Sequence, residues 1–167
     1  MEDLRETLVH LLREVALSFD AAMTDFGRRH RLGPRDVRAL VLLLDAERAG
    51  TVATPGWLAP RLGVNSASCT ALVDRLVAAG HVARTPLDTD RRKVALGVTA
   101  DARALGESFF DPVLAPVRAA ARGLSEQEAR AVTDFLAACA PGSRRHDVAP
   151  PARSVRSGRT TPRRGNR

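Results

Sequence analysis

The sequence contains no tyrosine, one tryptophan, one lysine and only two cysteines. Cys69 and Cys139 lie far apart and have no ligand-like spacing, so the sequence predicts neither a disulfide framework nor a zinc site. The longest wholly apolar runs cover residues 39–44 and 135–140, whereas a membrane-spanning helix needs about 20 such residues. Acidic residues near the start stand where a signal peptide carries basic ones, and we therefore expect a cytoplasmic protein without a membrane segment.

The parts of the common catalytic sites are missing as well. There is no glycine-rich phosphate loop, and no histidine has a cysteine or carboxylate partner at ligand or catalytic spacing. The four histidines are His10, His30, His81 and His146. We therefore expect a protein that is not an enzyme and that holds neither a cofactor nor a metal.

The net charge of +7 is concentrated at the carboxy terminus. Residues 143–167 hold eight arginines and one aspartate, and the rest of the chain is neutral. Because this tail is almost without apolar residues, we expect it to be disordered. It either adds sequence-independent attraction to phosphates or is a solvated extension with no selected role. Within the neutral part, residues 32–98 carry nine basic and six acidic side chains.

Hydrophobic periodicity, interrupted by helix-breaking glycine and proline residues, divides the chain into four parts. Apolar residues recur every three or four positions from Asp3 to about His30, which predicts one long amphipathic helix. Its apolar stripe exceeds what one small core covers, so we expect it to pack against a second subunit or, alternatively, within an intramolecular bundle. The predicted parts are a dimerisation helix in 1–31, a winged helix-turn-helix in 32–99, further dimerisation helices in 100–142 and the tail in 143–167.

The central part begins with three predicted helices. Gly33-Pro34 starts the first, and Thr54-Pro55 starts the second, which Pro60 should shorten or bend. Asn65 or Ser66 caps the third. The predicted core faces are Val37, Leu40, Val41 and Leu44 on the first helix, Trp57, Leu58 and Leu62 on the second, and Cys69, Leu72, Val73 and Leu76 on the third.

The outward side of the third helix follows from its core face. The spacing turns small, hydroxyl and charged side chains outward. Those at the centre are Ala67, Ala71, Asp74 and Ala78, and those alongside are Ser66, Ser68, Thr70 and Arg75. The amino-terminal half of such a helix normally reaches base edges in the major groove. We therefore interpret it as a recognition helix.

A hairpin follows the third helix. His81–Pro86 and Lys93–Thr99 are predicted strands, and the polar segment LDTDRR between them is predicted to turn. Arg91, Arg92 and Lys93 lie at the tip, where an arginine can enter the minor groove or hold phosphates. Asp90 is placed to orient the guanidinium of Arg92. The alternative interpretation is a solvated turn of mixed charge.

Two predicted helices complete the chain. Thr99 caps the first, which Pro112 and Pro116 should bend, and Ser125 with Glu128 forms a capping box at the start of the second. The fold class is therefore mostly α with a small wing of two to three β-strands. Helices from both chain ends make a symmetric dimer the economical arrangement.

These motifs resemble the MarR family of bacterial transcription regulators over about Leu4 to Cys139. The resemblance is carried by WLAPRLGV, CTALVDRLVAAGHVAR and DTDRRKVALGVT, in that order. It implies a homodimer that reads a pseudo-palindromic operator in double-stranded DNA, usually as a repressor at the bacterial nucleoid. The residues expected to contact DNA are Thr54, Ser66, Ser68, Thr70, Ala71, Arg75, Asp90, Arg91, Arg92 and Lys93.

The resemblance also implies a small aromatic or phenolic ligand in a crevice between the dimer helices and the winged module. Phe19, Phe26, Phe109, Trp57, His10 and His30 either line such a crevice or pack in the core. Two other functions remain open on the residues alone. One is a winged helix used for protein–protein contact, and the other is redox regulation through Cys69 or Cys139.

Overall fold

The computed structural model describes residues 3–87 and 90–139, and for residues 90–93 it describes the backbone alone. The elements are α1 (Leu4–His30), α2 (Pro34–Arg48), α3 (Pro55–Leu62), α4 (Ser66–Ala78), β1 (Val82–Leu87), β2 (Asp90–Val98), α5 (Ala100–Arg122) and α6 (Glu126–Cys139). They form two compact units that divide after Arg122, with α6 alone in the second. The predicted fold class, mostly α with a small wing, is confirmed. No helix in the described ranges is long and apolar enough to cross a membrane.

Helix α1 has the predicted extent and clear end signals. Asp3 caps it by accepting a hydrogen bond from the Arg5 backbone at 3.1 Å. It ends at His30, the following residue Arg31 has a left-handed φ of 57°, and the Leu32 N–H donates to the Gly27 carbonyl at 2.8 Å. Its carboxy-terminal half is partly or fully buried at Phe19, Met23 and Phe26, whereas its amino-terminal half leaves a row of apolar side chains exposed: Leu4, Leu8, Leu11 and Val15.

Helix α2 buries two sides rather than the single face predicted. Val37 and Leu40 are buried as expected, but Val41 and Leu44 are only half-buried. The prediction omitted three residues on the other side that are buried with the core of the winged module: Ala39, Leu43 and Ala46. Both sides of α2 are buried because the helix contacts α1 on one side and α3 and β2 on the other.

Helices α3 and α4 form the predicted helix-turn-helix. The Thr54 hydroxyl caps α3 by accepting from the Trp57 N–H at 3.2 Å, and α3, with Pro60 inside it, is only eight residues long. Gly63 makes the turn with a φ of 65°, a conformation that favours glycine. Asn65 caps α4. The predicted inward residues of α4 are all buried: Cys69, Leu72, Val73 and Leu76.

The hairpin is a two-stranded antiparallel sheet in which Val82 pairs with Val98 and Pro86 pairs with Val94. Strand β2 begins at Asp90, three residues before the predicted Lys93, and the register shifts between Pro86 and Leu87. The prediction that Asp90–Arg92 belongs to the turn is therefore wrong, because the ladder extends further along the polar segment. The Leu96 N–H also donates to the Ala53 carbonyl at 2.8 Å, which ties the sheet to the loop before α3.

The last two helices begin as predicted. The Thr99 hydroxyl accepts from the Ala102 N–H at 3.2 Å, and α5 continues as one 23-residue helix through Pro112 and Pro116. In the second unit, the Ser125 N–H donates to the Glu128 carboxylate at 2.8 Å. The Ser125 hydroxyl donates to the same carboxylate, and this side-chain bond, followed by the backbone one, lowers the pKa of Glu128. Large apolar side chains of α6 are exposed: Val132, Phe135 and Leu136.

Candidate nucleic-acid interface

The outward side of α4 is the surface predicted to read DNA. Because the opposite side of the helix is buried in the core, five of the predicted contact residues lie exposed together: Ser66, Ser68, Thr70, Ala71 and Arg75. These side chains are short except for Arg75, so close approach of the helix backbone to a groove is sterically easy. The side chains predicted to contact bases are therefore accessible.

The hydroxyl groups near this surface have defined roles. Asn65 caps α4 by accepting from the Ser68 N–H at 2.8 Å, so the cap does not draw on the hydroxyls of Ser66 or Ser68. The Thr70 hydroxyl donates to the Ser66 carbonyl at 3.0 Å, which leaves its oxygen as an acceptor. The Thr54 hydroxyl accepts from a backbone N–H, which leaves its proton for a phosphate oxygen.

Arg75 is held by a residue that sequence reasoning missed. Its Nη2 donates to the Asp36 carboxylate of α2 at 2.6 Å. Asp36 is 39 positions away in sequence and lies in the first turn of another helix. No periodicity or local spacing points to this contact, because it depends on how α2 and α4 pack.

Two further contacts flank the recognition helix. Asp74, next to Arg75 on α4, accepts from Arg84 of β1 at 2.6 Å. On α3, the Arg61 guanidinium lies 4.0 Å from the centre of the Trp57 ring and donates to the Trp57 carbonyl at 3.0 Å. Consecutive residues of α4 are therefore paired with different elements, Asp74 with the wing and Arg75 with α2.

The DNA contacts predicted for the wing residues stay predictions. The backbone of Asp90, Arg91, Arg92 and Lys93 lies in β2, and their side chains fall outside the described part of the chain. Asp88 and the tail at 143–167 also lie outside it. The predicted pairing of Asp90 with Arg92 therefore stays a prediction.

The two cysteines differ in their surroundings. Cys69 is fully buried, and its thiol lies 3.6 Å from the Pro55 carbonyl. Burial raises the pKa of the Cys69 thiol, and a raised pKa lowers the fraction of reactive thiolate. Cys139 is exposed. Cys69 thus behaves as a small apolar side chain of the α4 core.

A cavity of about 320 Å³ opens between α1, α2 and α5 within the first unit. We call it the crevice. Its walls are apolar and aromatic: Phe19, Met23 and Phe26 from α1, Val37, Leu40, Val41 and Leu44 from α2, and Phe110 and Leu114 from α5. Charged side chains also line it: Asp45, Arg48, Arg103, Glu107, Asp111 and Arg118. Its size and composition are those of sites for small organic molecules.

Six ring residues were predicted to line a crevice or pack in the core. For His10 that prediction is wrong because its side chain is exposed, and Trp57 lies outside the crevice and packs against the core of the winged module. The other four fall into two groups. Phe19 and Phe26 line the crevice, and so does Phe110, which was not considered. Phe109 and His30 instead pack on Phe26, with ring centres at 5.2 and 4.6 Å. Phe110 directly follows Phe109 in the sequence, and the rings of both residues contact that of Phe26.

The helix-turn-helix with a two-stranded wing defines a winged-helix protein of the DNA-binding class. A family model described as the MarR family matches residues 32–93. YcgE of Bacillus subtilis strain 168, described as an uncharacterized HTH-type transcriptional regulator, is 30% identical over 138 residues, which are 80% of this chain and 84% of YcgE. The chain belongs to the MarR family of transcriptional regulators, proteins that bind DNA.

Two solved structures show the same fold. Transcriptional regulator Tm0710 from Thermotoga maritima matches with a TM-score of 0.56 at 24% identity. The match covers 80% of this chain and 92% of the Tm0710 chain. A mutant of MepR from S. aureus bound to an oligodeoxyribonucleotide has a TM-score of 0.53 at 17% identity, covering 79% of this chain and 94% of the MepR chain. At these identities the likeness concerns the fold.

Proposed function

We propose that the protein is a homodimeric repressor that binds a pseudo-palindromic operator and is released by a small aromatic ligand. The observation that supports DNA binding is the exposed outer side of α4, which is followed in the chain by the hairpin. The solved MepR structure bound to an oligodeoxyribonucleotide supports this use of the fold. Its place of action is the bacterial cytoplasm, on the nucleoid.

Dimerisation is supported by apolar surface in both units. The exposed row on α1 and the exposed side chains of α6 lie at the two ends of the described chain. Exposed apolar rows on a helix mark association sites. A two-fold dimer places two copies of α4 on one face, so that each reads one half of a symmetric site.

The proposed contacts with DNA are of three kinds. Ser66, Ser68, Thr70 and Ala71 are placed for base edges and thymine methyl groups in the major groove. Thr54, Arg75, Arg91 and Lys93 supply phosphate contacts, and Arg92, oriented by Asp90, enters the minor groove. Because most groups on α4 are small, DNA shape contributes much of the specificity.

Arg92→Ala should weaken binding to the region immediately upstream of the protein's own gene by about tenfold, since a lost groove or phosphate contact costs about 1–3 kcal/mol. The measurement is a gel-shift titration at fixed salt. Arg13→Ala removes the same charge from an exposed position on α1 and should leave the dissociation constant unchanged. Equal affinities for Arg92→Ala and the parent would show that the wing arginine makes no contact.

The crevice is the proposed ligand site. Aromatic walls suit a flat apolar molecule, and the charged residues among its lining offer groups that orient a polar substituent. The crevice lies between α1, the proposed dimer helix, and α2, which belongs to the winged module. A bound molecule therefore contacts both parts and changes DNA affinity if it favours one arrangement of them.

Gly106→Leu should abolish ligand binding while leaving the fold intact. Gly106 lines the crevice, and among the described residues no atom lies within 4 Å of the position its Cβ would take, so a larger side chain fills the space. The measurement is the thermal shift produced by a panel of small phenols and aromatic acids, since a ligand of the native state raises the melting temperature. Gly106→Ala is the matched control and should keep the shift. A compound that stabilises parent and Gly106→Leu equally binds elsewhere.

A further inference from the structure

Asp36 is unusual among the described residues because its charged side chain is buried, with 6% of the residue exposed. Both carboxylate oxygens are occupied. Oδ2 accepts the Gly33 N–H at 2.9 Å, and Oδ1 accepts Nη2 of Arg75 at 2.6 Å. A buried charge is costly unless it is paired and hydrogen-bonded, so the position of Asp36 and that of the Arg75 guanidinium depend on each other.

Arg75 remains accessible although it is paired. Its side chain is 61% exposed, whereas that of Asp36 is 8% exposed. The ion pair therefore has one end anchored in the protein and the other at the edge of the DNA-facing side of α4. A guanidinium has five N–H donors, and the bond to Asp36 engages one terminal nitrogen, so the group can bind a phosphate while it is held.

We infer that Asp36 is a positioning residue that holds the Arg75 guanidinium in the orientation required for a DNA phosphate. An unrestrained arginine loses rotamer entropy when it is fixed, and the bond to Asp36 imposes part of that restriction before DNA arrives. Functional side chains locked by supporting hydrogen bonds act in this way. The inference rests on the proposed use of α4 in DNA binding.

The direction in which one substitution changes the affinity for DNA distinguishes a positioning role from a simple effect of charge. Asp36→Asn removes a negative charge near the DNA surface, and electrostatics alone predicts tighter binding to a polyanion. Loss of positioning predicts weaker binding. Asparagine is nearly isosteric, and its side-chain oxygen still accepts the Gly33 N–H, so the cap of α2 is retained while the charged anchor for Arg75 is removed.

The experiment is a double-mutant cycle on the full-length protein with a duplex covering the region upstream of its own gene. Asp36→Asn should raise the dissociation constant about threefold to tenfold in the parent, and should have little effect in an Arg75→Ala background. Asp25→Asn, which removes a carboxylate paired only locally with Arg28 and Arg29 on α1 in the described structure, is the charge-matched control and should bind as the parent does. Thermal melts establish that each variant is folded.

Arg75→Lys tests the same pair from the exposed side, where folding is not at risk. It keeps the charge but lacks the planar fork, and it should lose about as much affinity as Asp36→Asn. Unchanged or tighter binding by Asp36→Asn, or an equal loss in the Arg75→Ala background, would overturn the inference while leaving the proposed function in place. A parent that shifts neither this duplex nor a mixed-sequence duplex would overturn both.

Discussion

Leu8→Asp combined with Leu11→Asp should convert the protein to monomers and lower its affinity for the upstream duplex by about 100-fold or more. Both side chains belong to the exposed row on α1, with 45% and 52% of each residue exposed. Two carboxylates in an apolar interface cannot be buried without partners. A monomer also loses the gain of holding two half-sites at once, which is about 10²–10⁴-fold. The measurements are light scattering after size exclusion and gel-shift titration.

The control for this prediction is Leu17→Asp. Leu17 is also exposed, at 62%, but helical spacing places it on nearly the opposite side of α1 from Leu8 and Leu11. The same chemical change there should leave both the mass in solution and the dissociation constant as in the parent. A double variant that remains dimeric would show that the row on α1 lies outside the interface.

Gly27→Ala should destabilise the protein by about 1–3 kcal/mol, as overpacking of a close contact does. A Cβ at this position would lie 2.7 Å from the Leu32 carbonyl oxygen and 3.3 Å from a methyl group of Val37. The carbonyl belongs to the backbone just before α2 and has no rotamer to change. The junction of α1 and α2 must therefore open. Thermal or denaturant unfolding measures the loss.

Gly106→Ala supplies the matched comparison. It makes the same substitution inside α5, where the added methyl meets no atom within 4 Å in the part of the chain that the structure describes. Alanine is preferred to glycine within a helix by about 0.5–1 kcal/mol, so this variant should be more stable than the parent. If Gly27→Ala matched that gain, the close approach of α1 and α2 would not be tight in solution.

Local chemistry accounts for what could be predicted from the sequence. Caps at Thr54, Asn65 and Ser125, the glycine turn at Gly63 and the buried side of α4 all depend on residues within one or two helical turns. Such signals can be recognised in the sequence because both interacting residues lie on the same short segment. They placed the helix-turn-helix and therefore the outward side of the recognition helix.

Contacts between distant segments could not be predicted in the same way. The pairing of Asp36 with Arg75 and of Asp74 with Arg84 depends on the packing of α2, α4 and β1. The start of β2 at Asp90 reflects pairing with Leu87 across a register shift, whereas the polar composition of that segment favours a turn. Sequence reasoning therefore named Arg75 but not the carboxylate that holds it.

The two buried sides of α2 restrict how this protein can change its ligand. Leu40 packs in the core of the winged module and also lines the crevice, so a substitution that reshapes the crevice there also disturbs the support of the recognition helix. Phe19, Met23 and Phe110 line the same crevice from α1 and α5 and lie outside that core cluster. Evolution or engineering of a new ligand preference should therefore proceed through these three residues, while α2 accepts few exchanges.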